Sequence, residues 1–373
     1  MSEVSTVAPV AGPDPRATSA SASLRRMARW LRRNLFNSPG NSFLTVAALV
    51  FLALVLPAAW EWAVSQADLW GDSKGACIDQ GACWVFVRVR LPVFIFGQYP
   101  PSQQWRVLLA FALLVGFAVP ALRDGTPHRA LWVVLLLTLF PLLAGLLLVG
   151  GVAGLPFVDT TLWGGLMLDV VISFVTMAGS LPLGVLLAYG RRSQLAGIRT
   201  VSIAFIELWR GVPLLTVLFM AAVLLPLFLP SGVTVDRLLR AMGALVLFNA
   251  AYMAEVVRGG LQGVDAEQEE AAQSLGIGWL QTQTLVVLPQ AMRIIVPGII
   301  NTAVDFFKDT TLVTIVGLSD LLGAVNQALK DPAWLGLAPE GYVFAAVVFF
   351  VCCFAMSAYG RSFERRLARG QGR

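Results

Sequence analysis

Six stretches of this chain carry no charged side chain: 34–60, 107–122, 130–158, 170–190, 211–235 and 341–360. A helix needs about 20 predominantly apolar residues to cross a bilayer core of roughly 30 Å. Two further stretches, 241–260 and 296–325, are almost as apolar but enclose Glu255, Arg258, Lys308 and Asp309. Amides in hydrocarbon must be paired within their own segment unless a closed barrel pairs them, and the short alternating segments of a barrel are missing. The expected fold class is therefore all-α and polytopic, with about eight transmembrane helices. Composition agrees: 57% of residues are hydrophobic and 13% charged, against roughly 25% charged in soluble domains.

Basic residues set the expected orientation. With the N-terminus inside, nineteen of the 27 Lys and Arg fall on the inner side and seven on the outer. Arg25, Arg26, Arg29, Arg32 and Arg33 precede the first span, and Arg361, Arg365, Arg366, Arg369 and Arg373 follow the last. Both termini are thus expected in the cytoplasm. The net charge of +5 does not indicate nucleic acid, because the basic residues sit at the ends of apolar runs without interleaved aromatics. Residues 1–23, rich in Ser, Ala and Pro, read as a disordered tail. Segment 61–105 falls outside; Cys77 and Cys83 within it either form a bridge in an oxidising compartment or stay free thiols. Cys352 and Cys353 lie in an apolar run and are expected to pack as small hydrophobes. One histidine, His128, excludes a multi-histidine metal site.

The inner segment 261–297 has its own helical grammar. Asp265 reads as an N-cap with Gln268 three residues on, the spacing of a capping box. Glu267, Glu269 and Glu270 place negative charge where the helix dipole favours it. Ala271, Ala272 and Leu275 give an apolar face, and Gly276 suits a left-handed stop. A second short helix, Trp279 to Leu288, is expected to end before Pro289. The hairpin is either an interhelical loop packed on its own spans or a docking element for a cytoplasmic partner.

Ionisable groups inside spans point to function by default. Lys308 and Asp309, with the hydroxyls of Thr310 and Thr311, could meet a zwitterion; alternatively Lys308 snorkels or contacts a partner. Asn249 and Tyr252 lie one turn apart. Glu255 and Arg258 can pair on one helix face, and Glu207 with Arg210 reads as structural. No lysine precedes Ser or Thr, so the phosphate-binding Gly-Lys-Ser/Thr of a P-loop is absent.

Several spaced motifs occur in order: Ala251-Tyr252 with Glu255, Arg258 and Gly259-Gly260; Glu270-Ala271-Ala272 with Gly276; Leu288-Pro289-Gln290-Ala291 with Arg293 and Pro297; Asn301; and Lys308-Asp309-Thr310-Thr311-Leu312. Upstream stand Gly81-Ala82-Cys83-Trp84 and Trp163-Gly164-Gly165-Leu166. This pattern resembles binding-protein-dependent ABC importer permeases of the polar amino-acid branch, in particular the larger permease subunit of general L-amino-acid and glutamate/glutamine/aspartate importers.

The resemblance implies a type I ABC importer core of five helices at 164–362. Before it come a cytoplasmic tail at 1–40 and an extension at 41–163 with about three transmembrane helices and a long periplasmic loop; a cytoplasmic tail at 363–373 follows. It further implies a multi-pass inner-membrane subunit without enzymatic activity, which couples to a separate ATPase through Glu270, Ala271, Ala272, Gly276, Leu288 and Pro289. The implied partners are a second related permease, two cytoplasmic ABC ATPase subunits that use ATP and Mg, and a periplasmic amino-acid-binding protein; the chain itself holds no cofactor. The implied substrate path includes Asn249, Tyr252, Asn301, Lys308, Asp309, Thr310 and Thr311. The competing expectations are an ion-coupled secondary amino-acid transporter and a membrane-embedded enzyme. Scattered acids and a single histidine weigh against the enzyme.

Overall fold

Each charge-free stretch is built around a helix, as the pairing of amides in hydrocarbon requires. The computed structural model describes residues 15–370 apart from 78–79, 124, 153 and 231, with the backbone alone at 15–24 and 367–370. The chain divides into two units, Met1–Asp68 with Ile78–Ala82, and Leu69–Cys77 with Cys83–Arg373.

The first unit contains α1 (Pro15–Asn34) and α2 (Pro39–Trp60), the latter prolonged by a π turn, Glu61–Ser65. Ser38 caps α2 by accepting from the Asn41 N–H at 3.2 Å, with Pro39 in the first turn where its missing N–H costs nothing. No residue of α2 is buried. The tail expected to be disordered at 1–23 is corrected in part: positions 1–14 lie outside the described residues, and the chain is helical from Pro15. Alanine, leucine and arginine are strong helix formers and outweigh the serines there.

The second unit holds α3 (Trp84–Phe96), α4 (Gln104–Leu122), α5 (Arg129–Val149), α6 (Gly165–Arg191), α7 (Ala196–Gly211), α8 (Leu214–Phe219), α9 (Leu225–Phe228) and α10 (Arg237–Gln262). There follow α11 (Ala266–Ser274), α12 (Trp279–Gln281), α13 (Leu288–Asp309), α14 (Leu321–Ala328) and α15 (Ala338–Gly370). Across the described residues, 7 helices are long and apolar enough to cross a membrane, or 8 if α7 to α9 form one broken span. That pair bends by 101°. Gly211 ends α7, Val212 is extended as residues before proline are, and Pro213 opens α8.

The observed elements depart from the expected ones in several places. The span placed at 296–325 occupies Trp279–Val316. No break occurs at Pro289: α12 runs through a π turn, Thr282–Val287, into α13. The wider turn accommodates a proline that donates no hydrogen bond. Neither α3 nor α14 was foreseen as a helix. In α3, Arg88 and Arg90 interrupt the apolar run, yet Val85, Phe86 and Phe94 are buried in a cluster with Val325 and Trp334.

Packing of α6 on α10 forms the centre of the unit. A Cβ at Gly184 would lie 2.7 Å from the Met253 Cβ and 3.0 Å from the Ala254 nitrogen, so only a hydrogen fits there. Small residues allow such close approach between membrane helices. The α4–α5 hairpin is closed by two side chains at the C-terminus of α5. Arg106, fully buried, donates from Nε to the Leu147 carbonyl at 2.6 Å and from Nη1 to Pro156 at 2.9 Å; the Tyr99 hydroxyl donates to Leu148 at 2.9 Å. A guanidinium there satisfies orphan carbonyls and complements the negative end of the helix dipole. Cys77 and Cys83 are disulfide-bonded in this structure, and the Cys83 N–H donates to Glu340 at the start of α15.

Candidate functional site

Charged side chains gather at one end of the second unit. Glu255 of α10 accepts from Arg258 Nε and Nη2 at 2.9 and 2.7 Å, and from Arg191 at the end of α6 at 3.1 Å. Arg210 at the end of α7 stands 3.8 Å away, and Arg191 also bonds Glu207 at 3.1 Å. One carboxylate, 18% exposed, therefore collects three arginines from three helices. The Glu255–Arg258 pair expected from spacing exists, but it is one edge of a network. Its other members are separated in the chain by dozens of residues.

The hairpin of interest leaves α10 at this same end. Asp265 stands at the N-cap of α11 with extended backbone, but its side chain makes no capping bond; its carbonyl accepts from the Gln268 N–H at 3.0 Å. The expected capping box is therefore not formed, because the backbone turn already satisfies that donor. At the other end Gly276 takes φ +75°, its N–H bonds the Gln273 carbonyl at 2.9 Å, and the Ile277 N–H bonds Ala272 at 3.1 Å. These two bonds are those of a Schellman motif.

The expected apolar face of α11 splits. Ala272 is buried, whereas Ala271 and Leu275 are exposed, as is Glu270. Adjacent helical positions point about 100° apart, so Ala271 and Ala272 cannot share a face. Glu269, which spacing marked only as a first-turn charge, fixes the inward side. It accepts from Gln283 Nε2 at 3.1 Å and pairs with Arg192 at 3.5 Å, so α11 is tied to the spans on either side. Leu288 is half-buried and Pro289 exposed, both within the continuous helix.

The polar residues assigned to a path do not converge. Thr310 is buried and donates to Asp169 Oδ1 at 2.6 Å; Asp169 Oδ2 accepts from the Leu321 N–H at 3.0 Å. This brace joins α6 to the start of α14 at the end opposite α11. There Asp320 caps α14, accepting from Gly323 N–H at 2.9 Å and from the Thr314 hydroxyl. Asn249 follows Arg237 by a dozen residues, roughly 18 Å along α10, so it lies at another depth. It is buried, and its amide nitrogen has no hydrogen-bond partner. Tyr252 is partly exposed beside Phe248, with ring centres 5.1 Å apart, and lies 5.8 Å from the Arg210 guanidinium.

Asn301, Asp305 and Lys308 are exposed on one face of α13 at i, i+4 and i+7, and Lys308 pairs with Asp305 at 3.3 Å. Asp309 is half-buried, and Thr311 donates to the Lys308 carbonyl. Asp169 and Asp320 are bracing carboxylates that spacing did not single out, and Glu269 was marked only as a first-turn charge. Asp169 stands one residue before a charge-free stretch, and that position was the only local signal.

A family model described as "Binding-protein-dependent transport system inner membrane component" matches residues 180–369. The chain is 45% identical over 357 residues to the inner membrane amino-acid ABC transporter permease protein YhdY of Escherichia coli (strain K12), covering 96% of this chain and 97% of that protein. It is 37% identical over 414 residues to the glutamate/glutamine/aspartate/asparagine transport system permease protein BztC of Rhodobacter capsulatus, covering 91% and 94%. A solved structure titled "Crystal structure of an amino acid ABC transporter with histidines" aligns with a TM-score of 0.49 at 29% identity, covering 54% of this chain and 92% of that one. With half its length matched to one model and nearly all of it to a relative at 45% identity, the chain belongs to the binding-protein-dependent transport system inner membrane components and is a multi-pass permease subunit of an ABC transporter.

Proposed function

We propose that this subunit imports amino acids by lining a path with a second, related permease, while two cytoplasmic ATPase subunits bind ATP and Mg and supply the energy. A periplasmic binding protein delivers the substrate and contributes much of the selectivity. Amino acids are the favoured class because the near-full-length relatives are named for amino-acid transport. Both termini and α11 face the cytoplasm in this reading, in line with the arginine bias. The core at 164–362 carries the path, and the extension at 41–163 precedes it. The chain contains no lysine followed by Ser or Thr, which favours ATP hydrolysis on a partner.

One observation carries the reading: α11 offers Glu270, Ala271 and Leu275 to solvent while Glu269 and Ala272 hold its other side. A partner gripping the exposed side would pull through Arg192, just past the end of α6, and through Gln283, in the π turn that leads into α13. In that scheme Gly276 fixes the angle of the lever. Leu288 and Pro289 lie on the helix that transmits the movement. Asn301, Asp305 and Lys308 face the seam with the second permease, since a charged stripe on a span is costly against lipid, and half-buried Asp309 beside them contributes to the path. Asn249, Tyr252 and Thr311 contribute to the path, and Thr310 holds its outer end through Asp169. The ion-coupled alternative is set aside, because the family is one of binding-protein-dependent permeases.

Reconstitution tests this directly. Proteoliposomes holding both permeases, the ATPase and the binding protein should accumulate labelled amino acids only with ATP, and omission of the ATPase should abolish uptake. Accumulation by the chain alone from a sodium or proton gradient would overturn the proposal.

A further inference from the structure

The helix α1 has no role in the scheme above, and its surface has a clear division. At 3.6 residues per turn, Arg25, Arg26, Arg29, Arg32 and Arg33 fall within an arc of about 120°. Met27, Trp30 and Leu31 fall within an opposing arc of about 100°. Every residue from Arg25 to Asn34 is exposed, Trp30 at 57% and Met27 at 56%. No Asp or Glu occurs between Asp14 and Glu61, so nothing within the helix neutralises the five guanidinium groups. Trp30 stands at the border of the two faces, where it shares an open cleft with Arg26, Arg29, Arg33 and Asn34.

The junction to the first span is ordered rather than slack. The Leu35 and Phe36 N–H groups bond the Leu31 carbonyl at 2.8 and 3.2 Å. The Thr45 hydroxyl, on the second turn of α2, reaches the Leu35 carbonyl at 2.9 Å. Asn41 bonds the Asn37 side chain, and Ser38 caps α2. The end of α1 is thus held against the start of a helix long and apolar enough to cross a membrane.

We propose that α1 is a lipid-binding element that lies in the membrane interface, with Met27, Trp30 and Leu31 in the acyl boundary and Arg25, Arg26, Arg29, Arg32 and Arg33 against phosphate-bearing anionic headgroups. A basic face opposite an apolar one is the arrangement of interfacial helices. The occupant is a membrane surface because the helix is tethered to a span, its charge is complementary to anionic lipid, and its apolar stripe is uncovered. Each arginine near such a surface strengthens attachment about fivefold.

The test uses the full-length chain with Cys352 and Cys353 replaced by serine and a nitroxide at Met27→Cys, in nanodiscs of phosphatidylcholine with or without phosphatidylglycerol. With phosphatidylglycerol the label should be accessible to oxygen and shielded from an aqueous nickel chelate; a label at Arg26→Cys should show the reverse. The R25Q/R29Q/R32Q variant should lower the inserted-to-free ratio on the order of a hundredfold, and pure phosphatidylcholine on the order of a thousandfold. The proposal is overturned if Met27 meets the nickel chelate equally in both lipids. It is overturned as well if shielding ignores both lipid charge and the three substitutions, or arises only when the ATPase subunits are added, which would make the partner a protein.

Discussion

Gly276 is the residue whose role follows most directly from backbone chemistry. Its φ of +75° lies in the left-handed region, and a Cβ there would meet no atom within 4 Å. The cost of substitution is therefore conformational, about 1–2 kcal/mol for a residue with a Cβ and greatest when it is β-branched. Gly276→Val should leave the protein folded while lowering ATP-driven uptake at least about tenfold, whereas Gly276→Asn, which tolerates this conformation, should retain most of it. Uptake measured beside co-purification of the ATPase separates the two effects; normal coupling in the valine variant would remove Gly276 from the lever. This residue was legible because a glycine after a helical run is a local signal. Glu269 was not, since its partners Arg192 and Gln283 lie on elements whose rotation the local sequence leaves open.

At the scale of elements, the helices follow hydropathy but their ends follow hydrogen bonds. Pro213 bends α7 into α8, whereas Pro289 sits inside a continuous helix because a π turn precedes it. The same residue type thus breaks one helix and not another, and the difference lies in where the neighbouring carbonyls find donors. The α4–α5 hairpin depends on Arg106 in the same sense. Arg106→Leu would strip the Leu147 and Pro156 carbonyls of these part-buried hydrogen bonds, each costing about 1 kcal/mol. The thermal midpoint in detergent should fall by on the order of 5 °C, and Arg106→Lys should recover only part of it, because an ammonium lacks the planar fork that reaches both carbonyls. An unchanged midpoint in the leucine variant would show that the guanidinium is not what closes the hairpin.

For the whole molecule, the two ends of the second unit are chemically distinct. Arg191, Arg192, Glu255 and Glu269 mark one, and Asp169, Thr310 and Asp320 the other. A helix crossing the bilayer must present these ends to opposite compartments. A cysteine at Glu270 should therefore react with an impermeant maleimide only in inverted vesicles, and a cysteine at Trp70, in the loop before α3, only in intact cells. Labelling of the Glu270 position in intact cells would reverse the assignment of α11 to the cytoplasm. Membrane class and the approximate number of spans were legible in the sequence alone, because transfer into lipid sums over consecutive residues and needs no knowledge of neighbours. Tertiary structure alone decided which helix faces meet. A span hydrophobic all round carries no periodic stripe to orient it, so the closeness of Gly184 to Met253, the Asp169–Thr310 brace and the three arginines around Glu255 emerge only when the helices are rotated into contact.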